Sequence, residues 1–482
     1  MLFHTWTFAA FFLVVYLVYL AVKGTWLRLP WLLLASYVFY AGWNPLYLIL
    51  ILYATSVDYL TVMGMSRSRW KGPWVALSVV NNLGLLGFFK YGKFLVENVN
   101  WLLHTVGVTY LVPDPNVAFV SNGVNALLGR LGVTYTVEPL PFLLPVGISF
   151  YVFQSMSYTI DYYRGNVGKE RNFIRYATFV SLFPQLVAGP IERAKNLLPQ
   201  LRHVPTITRQ DVADGLSLFV VGLFKKVALA DFLALYVERV YSAPSGFQGP
   251  ALILATVAFG WQIYFDFSGY TDMARGIGRL MGIRLMLNFN NPYLATGLGD
   301  FWRRWHISLS TWFRDYVYIP LGGSRHGTVR TYVNLCLTML VSGLWHGAMW
   351  TFVLWGAVHA AGYAATRHLE STAFYRDRVP RLVKRVWVFS FVTFAWIFFR
   401  AESIADAWWI VKGIGSGLGD PRFPLTMAAM VAAVWFYQAV YESKLRAMLE
   451  LAPVRVGLVA CMVLYLSLVA GSNQQPFIYF QF

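Results

Sequence analysis

Residues 300–324, DFWRRWHISLSTWFRDYVYIPLGGS, are a polar and aromatic block in a chain that is otherwise strongly apolar. The shorter block LVSGLWHG follows at 340–347. Hydrophobic stretches flank both blocks, so His306 and His346 are expected to lie where hydrocarbon surrounds them. Because the core of a bilayer provides no hydrogen-bonding groups, an ionisable residue inside a membrane is a functional candidate by default. The two blocks therefore predict chemistry carried out within a membrane.

Composition predicts an all-α polytopic membrane protein. Of the 482 residues, 57% are hydrophobic and 13% are charged, and the mean hydropathy is +0.52. Soluble domains carry about 25% charged residues, and several windows approach the ~18–20 apolar residues that a membrane helix needs. About 11–13 spans are predicted, with boundaries uncertain by several residues. The candidate spans are 7–22, 30–43, 45–64, 74–90, 142–160, 173–188, 213–237, 250–266, 331–345, 347–366, 385–400, 425–441 and 456–471.

Charge predicts how the chain is oriented. The chain has 39 Lys and Arg against 22 Asp and Glu, a formal net charge of +17. The cations are scattered between the predicted spans, which indicates the positive-inside bias of cytoplasmic loops and not a nucleic-acid-binding face. Lys23 and Arg28 follow the first apolar run, which argues against a cleaved signal peptide. We therefore expect an extracytoplasmic N-terminus and a cytoplasmic 23–29 loop. Some of the cations could also meet an anionic head group or a phosphate-bearing substrate.

The chain is predicted to form one membrane domain over residues 1–482. Residues 104–139 are richer in Pro, Gly and Asn, and we expect them to form an extramembrane or interfacial insertion. Phe183-Pro184 is expected to kink or end the span at 173–188, because proline cannot continue a helix without losing a hydrogen bond. Cys336 and Cys461 lie in apolar runs and are predicted to pack in the core without a disulfide.

The block at 300–324 is predicted to contain an amphipathic helix over 301–316. Asp300 is its expected N-cap, and the glycines at 322–323 follow its end. On such a helix, one arc of about 100° holds Trp302, Trp305, His306, Leu309, Phe313 and Tyr316. Arg303, Ser310 and Arg314 flank this arc, and Arg304, Thr311 and Asp315 lie opposite. His306 therefore faces the packed side, where it is either functional or a structural histidine bonded to a neighbouring carbonyl.

His346 interrupts a nearly continuous apolar run over 331–360. Ser342 precedes it by one helical turn and lies on the same face, and Gly343 and Gly347 permit the close approach of another backbone or of a ligand. A desolvated imidazole tends to stay neutral and can then act as a base. The alternative is a histidine that only packs between helices. Polar residues at Asn334 and His359 also interrupt this run, and His359 is predicted to pack.

Asp266, at the end of the 250–266 run, is the third polar feature. An ion-pair network with Asp272, Arg275 and Arg279, anchoring the end of a helix, is the favoured interpretation. The chain contains no GxSxG elbow and no P-loop. The histidines lack carboxylates or cysteines at metal-ligand spacing, so no metal site is predicted.

Taken in order, the motifs resemble the membrane-bound O-acyltransferase family, and specifically its branch of bacterial alginate O-acetylation proteins. The matching segments are LPVGISFYVFQSMSYTIDYYRG (144–165), FPQLVAGPIERAKNLLPQL (183–201), YFDFSGYTDMARGIG (264–278), NFNNPYLATGLGDFWRRWHISLSTWFRDYVYIPLGGS (288–324), LVSGLWHGAMWTFVLWGAVHA (340–360) and the ending PFIYFQF.

The resemblance implies a ring of tilted membrane helices around a transmembrane tunnel. It assigns the family's active histidine to His346 and its second motif histidine to His306. It also implies acetyl-coenzyme A as a cytoplasmic acyl donor, no permanently bound cofactor, a location in the bacterial inner membrane, and a separate periplasmic acetyltransferase or carrier subunit as partner. The residues expected to bind the donor or line the tunnel are Trp302, Arg303, Arg304, Trp305, Ser310, Asp315, Ser342, Asn334 and Asp266.

Three alternatives remain open at the level of sequence. A transporter or pore would also place His and Asp inside a helical bundle, although the expected internal symmetry of two halves is missing. A non-enzymatic subunit of a polysaccharide export machine would tolerate loss of either histidine. Transfer of D-alanyl or another acyl group to a cell-wall polymer would use the same motifs, because the related D-alanine transferases share much of the WHISLS region.

Overall fold

A computed structural model of the chain describes residues 1–116, 118–135, 145–417, 424–449, 451–469 and 477–478. These residues form helices and no strand, which confirms the prediction of an all-α protein. The first eleven α-helices are α1 (Trp6–Val22), α2 (Arg28–Ala41), α3 (Leu48–Arg67), α4 (Gly72–Leu86), α5 (Gly92–Thr105), α6 (Ala118–Arg130), α7 (Ile148–Tyr163), α8 (Phe173–Ser181), α9 (Phe183–Leu186), α10 (Ala194–Arg202) and α11 (Arg209–Phe224). They are followed by α12 (Asp231–Tyr241), α13 (Gly249–Leu280), α14 (Leu298–Arg304), α15 (Ile307–Phe313), α16 (Gly327–His346), α17 (Trp350–Ser371), α18 (Arg381–Arg400), α19 (Ile404–Gly413), α20 (Leu425–Glu442), α21 (Arg446–Leu449) and α22 (Ala452–Val469).

Several helices have the length and apolar character of membrane spans. Within the described ranges, four are long and apolar enough to cross a membrane alone: Pro45–Arg67, Gly72–Thr105, Gly249–Leu280 and Arg381–Arg400. Three shorter apolar helices accompany them, at α1, α20 and α22. These helices make the chain a polytopic membrane protein. The number of about 11–13 crossings stays a prediction.

Two of the long helices contain a π-helical turn. Gly87–Tyr91 joins α4 to α5, and Lys225–Ala230 joins α11 to α12. The predicted span at 74–90 is therefore only part of a 34-residue helix. By contrast, the predicted span at 173–188 is divided into α8 and α9 at Leu182, immediately before Phe183-Pro184. The proline thus ends the helix as expected.

Helix α13 occupies the centre of the fold, with 89% of its most apolar window buried. Glycines let α11 pack closely on it, because a Cβ atom at Gly222 would lie 2.5 Å from the carbonyl oxygen of Gly269. The prediction that this span ends at Asp266 is wrong, since the helix continues to Leu280. The polar residues beyond Asp266 are tolerated because neighbouring helices provide ionic partners, as in the Lys225–Asp272 pair at 2.7 Å.

The two cysteines do not pack in the core as predicted, because both are exposed. In a membrane protein the outward face of a helix is also apolar, so an apolar run does not indicate the direction in which a side chain points. The predicted insertion at 104–139 contains α6, whereas residues 136–139 lie outside the described residues, as does the beginning of the predicted span at 142–160. The single domain and the interfacial position of this insertion stay predictions.

Candidate active site

His346 is the last residue of α16. The backbone becomes extended at Gly347, with φ −159° and ψ 152°, and α17 begins at Trp350. Only 4% of His346 is exposed. Its ring packs edge-on against three aromatic rings, with centroid distances of 5.0 Å to Trp345, 5.1 Å to Trp355 and 5.2 Å to Phe399. The predicted residue is thus a buried imidazole at a helix end.

Glycines determine how closely α16 and α17 approach each other. A Cβ atom at Gly343 would overlap the carbonyl oxygen of Phe352, and one at Gly347 would overlap the ring of the same residue. At Gly356 a Cβ atom would lie 2.5 Å from the carbonyl oxygen of Met339. The sequence prediction of a close backbone approach beside His346 is therefore confirmed.

His306 lies at a break between two helices, where one continuous helix over 301–316 was predicted. Helix α14 ends at Arg304, Trp305 is extended, and His306 adopts the left-handed conformation with φ 41° and ψ 56° before α15 begins at Ile307. This conformation is uncommon for a residue with a side chain. Strain of this kind is retained only where the surrounding structure holds it, and it often marks a functional position.

Asn288 holds this break in place. Its backbone carbonyl accepts a hydrogen bond of 2.9 Å from the N–H of Ile307. Its side-chain oxygen accepts bonds from the backbone N–H and the hydroxyl of Ser308, at 3.2 and 2.9 Å. In addition, the N–H of Asn290 donates to the carbonyl of Arg304. The 288–290 segment thus replaces bonds that a continuous helix would make. The sequence analysis did not single out Asn288, although it lies in the NFNNP motif.

The start of the 301–316 segment also differs from the prediction. Gly297, not Asp300, is the N-cap of α14, while Asp300 lies in its first turn and accepts a bond from the N–H of Thr296. The hydroxyl of Ser310 donates to the carbonyl of Trp305 at 3.0 Å, so it stabilises the helix break.

Aromatic side chains connect the two predicted histidines. The His306 ring is fully buried and lies 4.6 Å from Phe267 and 5.9 Å from Trp345, centroid to centroid. Trp345 in turn contacts His346 at 5.0 Å. The fold therefore brings His306 and His346 to the same aromatic residue, although 40 positions separate them in the sequence.

A third histidine lies beside this pair. His359 is fully buried, and its ring lies 4.6 Å from that of Trp355, which also contacts His346. Neither ring nitrogen of His359 makes a hydrogen bond to another residue in the described part of the chain. Trp302, one of the predicted tunnel residues, contacts His359 at 5.0 Å. A packing role for His359 stays a prediction, but its position places it in the candidate site.

Trp305 and Ser342 also lie close to the histidines. Trp305 is buried and packs at 5.1 Å against Trp396, which contacts Trp355 at 6.0 Å. Ser342 is buried one turn before His346 on α16.

The other predicted site residues lie in ion pairs or structural contacts. Arg304 pairs with Asp300 at 3.0 Å, and the side chain of Arg303 is 74% exposed at 3.7 Å from the same carboxylate. Asp315 pairs with Arg314 at 2.8 Å. Each of these contacts is an ion pair within the same segment, so donor binding by these charges stays a prediction.

Asn334 and Asp266 have clear structural roles. The side-chain amide of Asn334 donates to the carbonyl of Gly323 at 2.9 Å and so attaches the glycine turn to α16. It is three helical turns from His346, about 18 Å along the helix axis. Asp266 pairs with buried Lys226 at 2.9 Å and accepts a bond of 2.7 Å from the N–H of Ile478. Asp266 is thus in an internal ion pair, as expected, but within the described residues its partner is Lys226 and not one of the predicted members. Asp272 pairs instead with Lys225 and Arg275, and Arg279 pairs with Asp211 and Asp214.

An open cleft of about 630 Å³ begins two residues beyond His346. It lies where α5, the start of α17 and the end of α18 meet. Aromatic and polar side chains line it, among them Trp101, Trp350, Glu97, Asn98 and Glu402. The indole N–H of Trp350 donates to Asn98 at 3.0 Å, which fixes one wall of the cleft.

These features define a polytopic membrane protein with imidazoles buried among its helices, a class suited to acid–base chemistry away from water. Comparison with known sequences identifies the family. The sequence model of the membrane-bound O-acyltransferase family (MBOAT) matches residues 166–405, a range that contains all three histidines.

Three relatives indicate the breadth of the similarity. The chain is 43% identical over 384 residues to the probable alginate O-acetylase AlgI of Azotobacter vinelandii, covering 78% of this chain and 70% of that protein. It is 34% identical to the peptidoglycan O-acetyltransferase of Helicobacter pylori (80% and 73% covered). It is 26% identical to the teichoic acid D-alanyltransferase of Bacillus subtilis (53% and 69% covered). The chain belongs to the membrane-bound O-acyltransferase family and is an O-acyltransferase.

Proposed function

We propose that this protein is the membrane subunit of a polysaccharide O-acetylation system, and that it moves an acetyl group from a cytoplasmic thioester to an acceptor on the other side of the membrane. The observation that carries this proposal is the pair of buried histidine rings that share a contact with Trp345. The similarity to a probable alginate O-acetylase over 78% of the chain supports both the acetyl group and a polysaccharide as its destination.

In the proposed reaction, His346 acts as the general base. It accepts the proton of the acceptor hydroxyl while the hydroxyl oxygen attacks the carbonyl carbon of acetyl-coenzyme A. The carbon–sulfur bond then breaks, and the proton passes from His346 to the departing thiolate. The products are an O-acetyl ester and free coenzyme A. General base catalysis typically contributes ~10²–10⁴ in rate, and His306 provides a second imidazole for donor positioning or proton transfer.

The donor is proposed to approach from the cytoplasm, past the basic residues of the 300–330 region. Arg303 is the best candidate for a contact with coenzyme A phosphates, because its side chain is 74% exposed and its nearest carboxylate oxygen is 3.7 Å away. Arg304 is less available, since Asp300 holds it at 3.0 Å. Arg314 and the 325–330 loop add further positive charge.

The acceptor is proposed to reach His346 from the opposite side. With an extracytoplasmic N-terminus, the cations at 67–71 lie in the cytoplasm. The helix that begins at Gly72 then runs outward to Lys90, which contacts the end of α16, so α16 also runs outward from Gly327 to His346. The cleft beyond His346 then faces the periplasm of the bacterial inner membrane. We propose a separate periplasmic acetyltransferase or carrier subunit as the partner that receives the acetyl group there.

The assignment of His346 is tested by measuring polymer O-acetylation in cells and acetyl-coenzyme A turnover by purified protein. His346→Ala is expected to abolish both at an unchanged level of protein in the membrane. His368→Ala is the matched control, because His368 is an exposed histidine near the other end of α17. Acylation by His346→Ala at close to the parental rate would remove His346 from the mechanism.

The direction of transfer and the need for a partner require reconstitution. Purified protein in proteoliposomes receives radiolabelled acetyl-coenzyme A on one side and alginate or peptidoglycan fragments on the other, with and without the candidate periplasmic subunit. We expect label to reach the polymer only when that subunit is present. Efficient labelling by the membrane protein alone would show that no partner is needed.

A second candidate function is transfer of D-alanyl or another acyl group, which the similarity to teichoic acid D-alanyltransferases favours. That similarity spans 45% and 53% of the chain, against 78% for the alginate relative. Offering acetyl and D-alanyl thioesters in competition separates the two. Preferential turnover of the D-alanyl donor would replace the acetyl assignment.

A further inference from the structure

We propose that Lys90 and Tyr91 are positioning residues of the acyl transfer, and that they act by holding the helix end that carries His346. Both lie in the π-helical turn Gly87–Tyr91, in a helix that the sequence motifs of the family do not include. The inference rests on the proposed function of His346 as the base.

The last turn of α16 needs hydrogen-bond donors from outside the helix. The final four carbonyl groups of any α-helix have no partner within it, and in hydrocarbon such groups cannot turn to water. In α16 these are the carbonyls of residues 343–346. The first accepts a bond of 3.4 Å from the N–H of Gly347. Because the backbone is extended at Gly347, the helix itself does not continue to supply donors to the other three.

Lys90 and Tyr91 provide those donors. The ammonium group of Lys90 donates to the carbonyl of Trp345 at 2.5 Å and to that of His346 at 3.1 Å. The hydroxyl of Tyr91 donates to the carbonyl of Leu344 at 2.8 Å. Two adjacent residues of one neighbouring helix therefore donate to three of the four terminal carbonyls.

Lys90 and Tyr91 lie in a π-helical turn, and such turns are frequent at functional sites. The ammonium group of Lys90 also lies 5.5 Å from the ring centroid of Trp345, the residue that contacts both His306 and His346. Its positive charge stands at the negative end of the α16 dipole.

Holding the helix end fixes the His346 ring. Gly347 follows this helix end, and a Cβ atom there would overlap the Phe352 ring, so α17 packs against the end too closely for any other residue at this position. Without Lys90 the carbonyls of Trp345 and His346 would turn to find other donors, and the imidazole would turn with them. A misplacement of about 1 Å at a reacting group costs on the order of a hundredfold in rate. The predicted defect is therefore in catalysis and not in donor binding.

The test compares the kinetics of purified variants with acetyl-coenzyme A as the variable substrate. Lys90→Met keeps the length of the side chain and removes its donors. We expect kcat to fall about tenfold to a hundredfold, while KM for acetyl-coenzyme A stays within about twofold. Lys71→Met is the control, because Lys71 is an exposed lysine at the start of the helix that carries Lys90, and its kinetics should match the parent. A parental kcat in folded Lys90→Met overturns the inference.

Two further variants keep the inference testable if Lys90→Met cannot be purified. Tyr91→Phe removes one hydrogen bond and should lower kcat about threefold to tenfold. Lys90→Arg retains the positive charge, so in membranes it should keep more activity than Lys90→Met. A parental kcat in Tyr91→Phe would then overturn the inference.

His346→Ala in the same series separates the positioning role of Lys90 and Tyr91 from the proposed function of His346 as the base. If His346→Ala is inactive and the Lys90 and Tyr91 variants have parental kcat, only the positioning role fails. If His346→Ala is active, the proposed function itself fails.

Discussion

Substitution of Gly356 by alanine tests whether the close contact between α16 and α17 controls catalysis. A Cβ atom at this position would lie 2.5 Å from the carbonyl oxygen of Met339, which is 0.9 Å short of the 3.4 Å at which ordinary contact begins. The three atoms nearest to the added methyl group are all backbone atoms, so no side chain can move aside and the helices themselves must separate by nearly 1 Å. Gly356 is adjacent to Trp355, whose ring contacts both His346 and His359.

The expected losses follow from that displacement. Overpacking of this kind costs about 1–3 kcal/mol of stability, and a shift of about 1 Å at the site costs on the order of a hundredfold in rate. The assays are thermal unfolding in detergent and acetyl-coenzyme A turnover. The control is Gly84→Ala, since Gly84 lies in helix α4 with no atom within 4 Å of the added methyl group. That control should leave the rate unchanged and raise stability by up to about 1 kcal/mol. A kcat for Gly356→Ala within about threefold of the parent would refute the link between helix separation and catalysis.

Three other substitutions test the remaining parts of the site. His306→Ala should lower kcat by about a hundredfold or more, as expected for loss of a group that takes part in the reaction, and equal thioester turnover by variant and parent would return His306 to a packing role. Asn288→Ala removes the acceptor for Ser308 and should cost about 0.5–2 kcal/mol in thermal unfolding together with a lower kcat; a parental kcat would show that the helix break does not need Asn288. Arg303→Gln should raise KM for acetyl-coenzyme A more than Arg304→Gln does, because the second charge is already compensated, and an unchanged KM in both would argue against donor binding on this surface.

Much of the fold follows from hydropathy. An apolar run in hydrocarbon must satisfy its backbone groups internally, so it becomes a helix whatever its neighbours are. For this reason the predicted spans at 7–22, 331–345 and 347–366 agree within a few residues with α1, α16 and α17. The position of His346 between two of these spans could also be seen in the sequence, because the glycines beside it interrupt the apolar pattern.

Other features could not be seen because they depend on distant residues. A helical projection of 301–316 assumes one continuous helix, whereas the break at His306 is stabilised by the separate segment around Asn288. Asp266 was expected at the end of a span, but the helix continues because Lys226 on another helix compensates its charge. Periodicity describes one helix at a time and contains no information about such partners.

The sequence by itself determined that this chain is helical, that it is embedded in a membrane, and that two histidines lie among its apolar segments. Local composition suffices for these conclusions, because the cost of exposing backbone or charge to lipid applies to each segment separately. The tertiary structure alone decided that the two histidines share Trp345, that His359 lies beside them, and that Lys90 holds the end of α16 from 255 positions away. These contacts depend on which helices pack together, and that packing is determined by the shapes of many side chains at once.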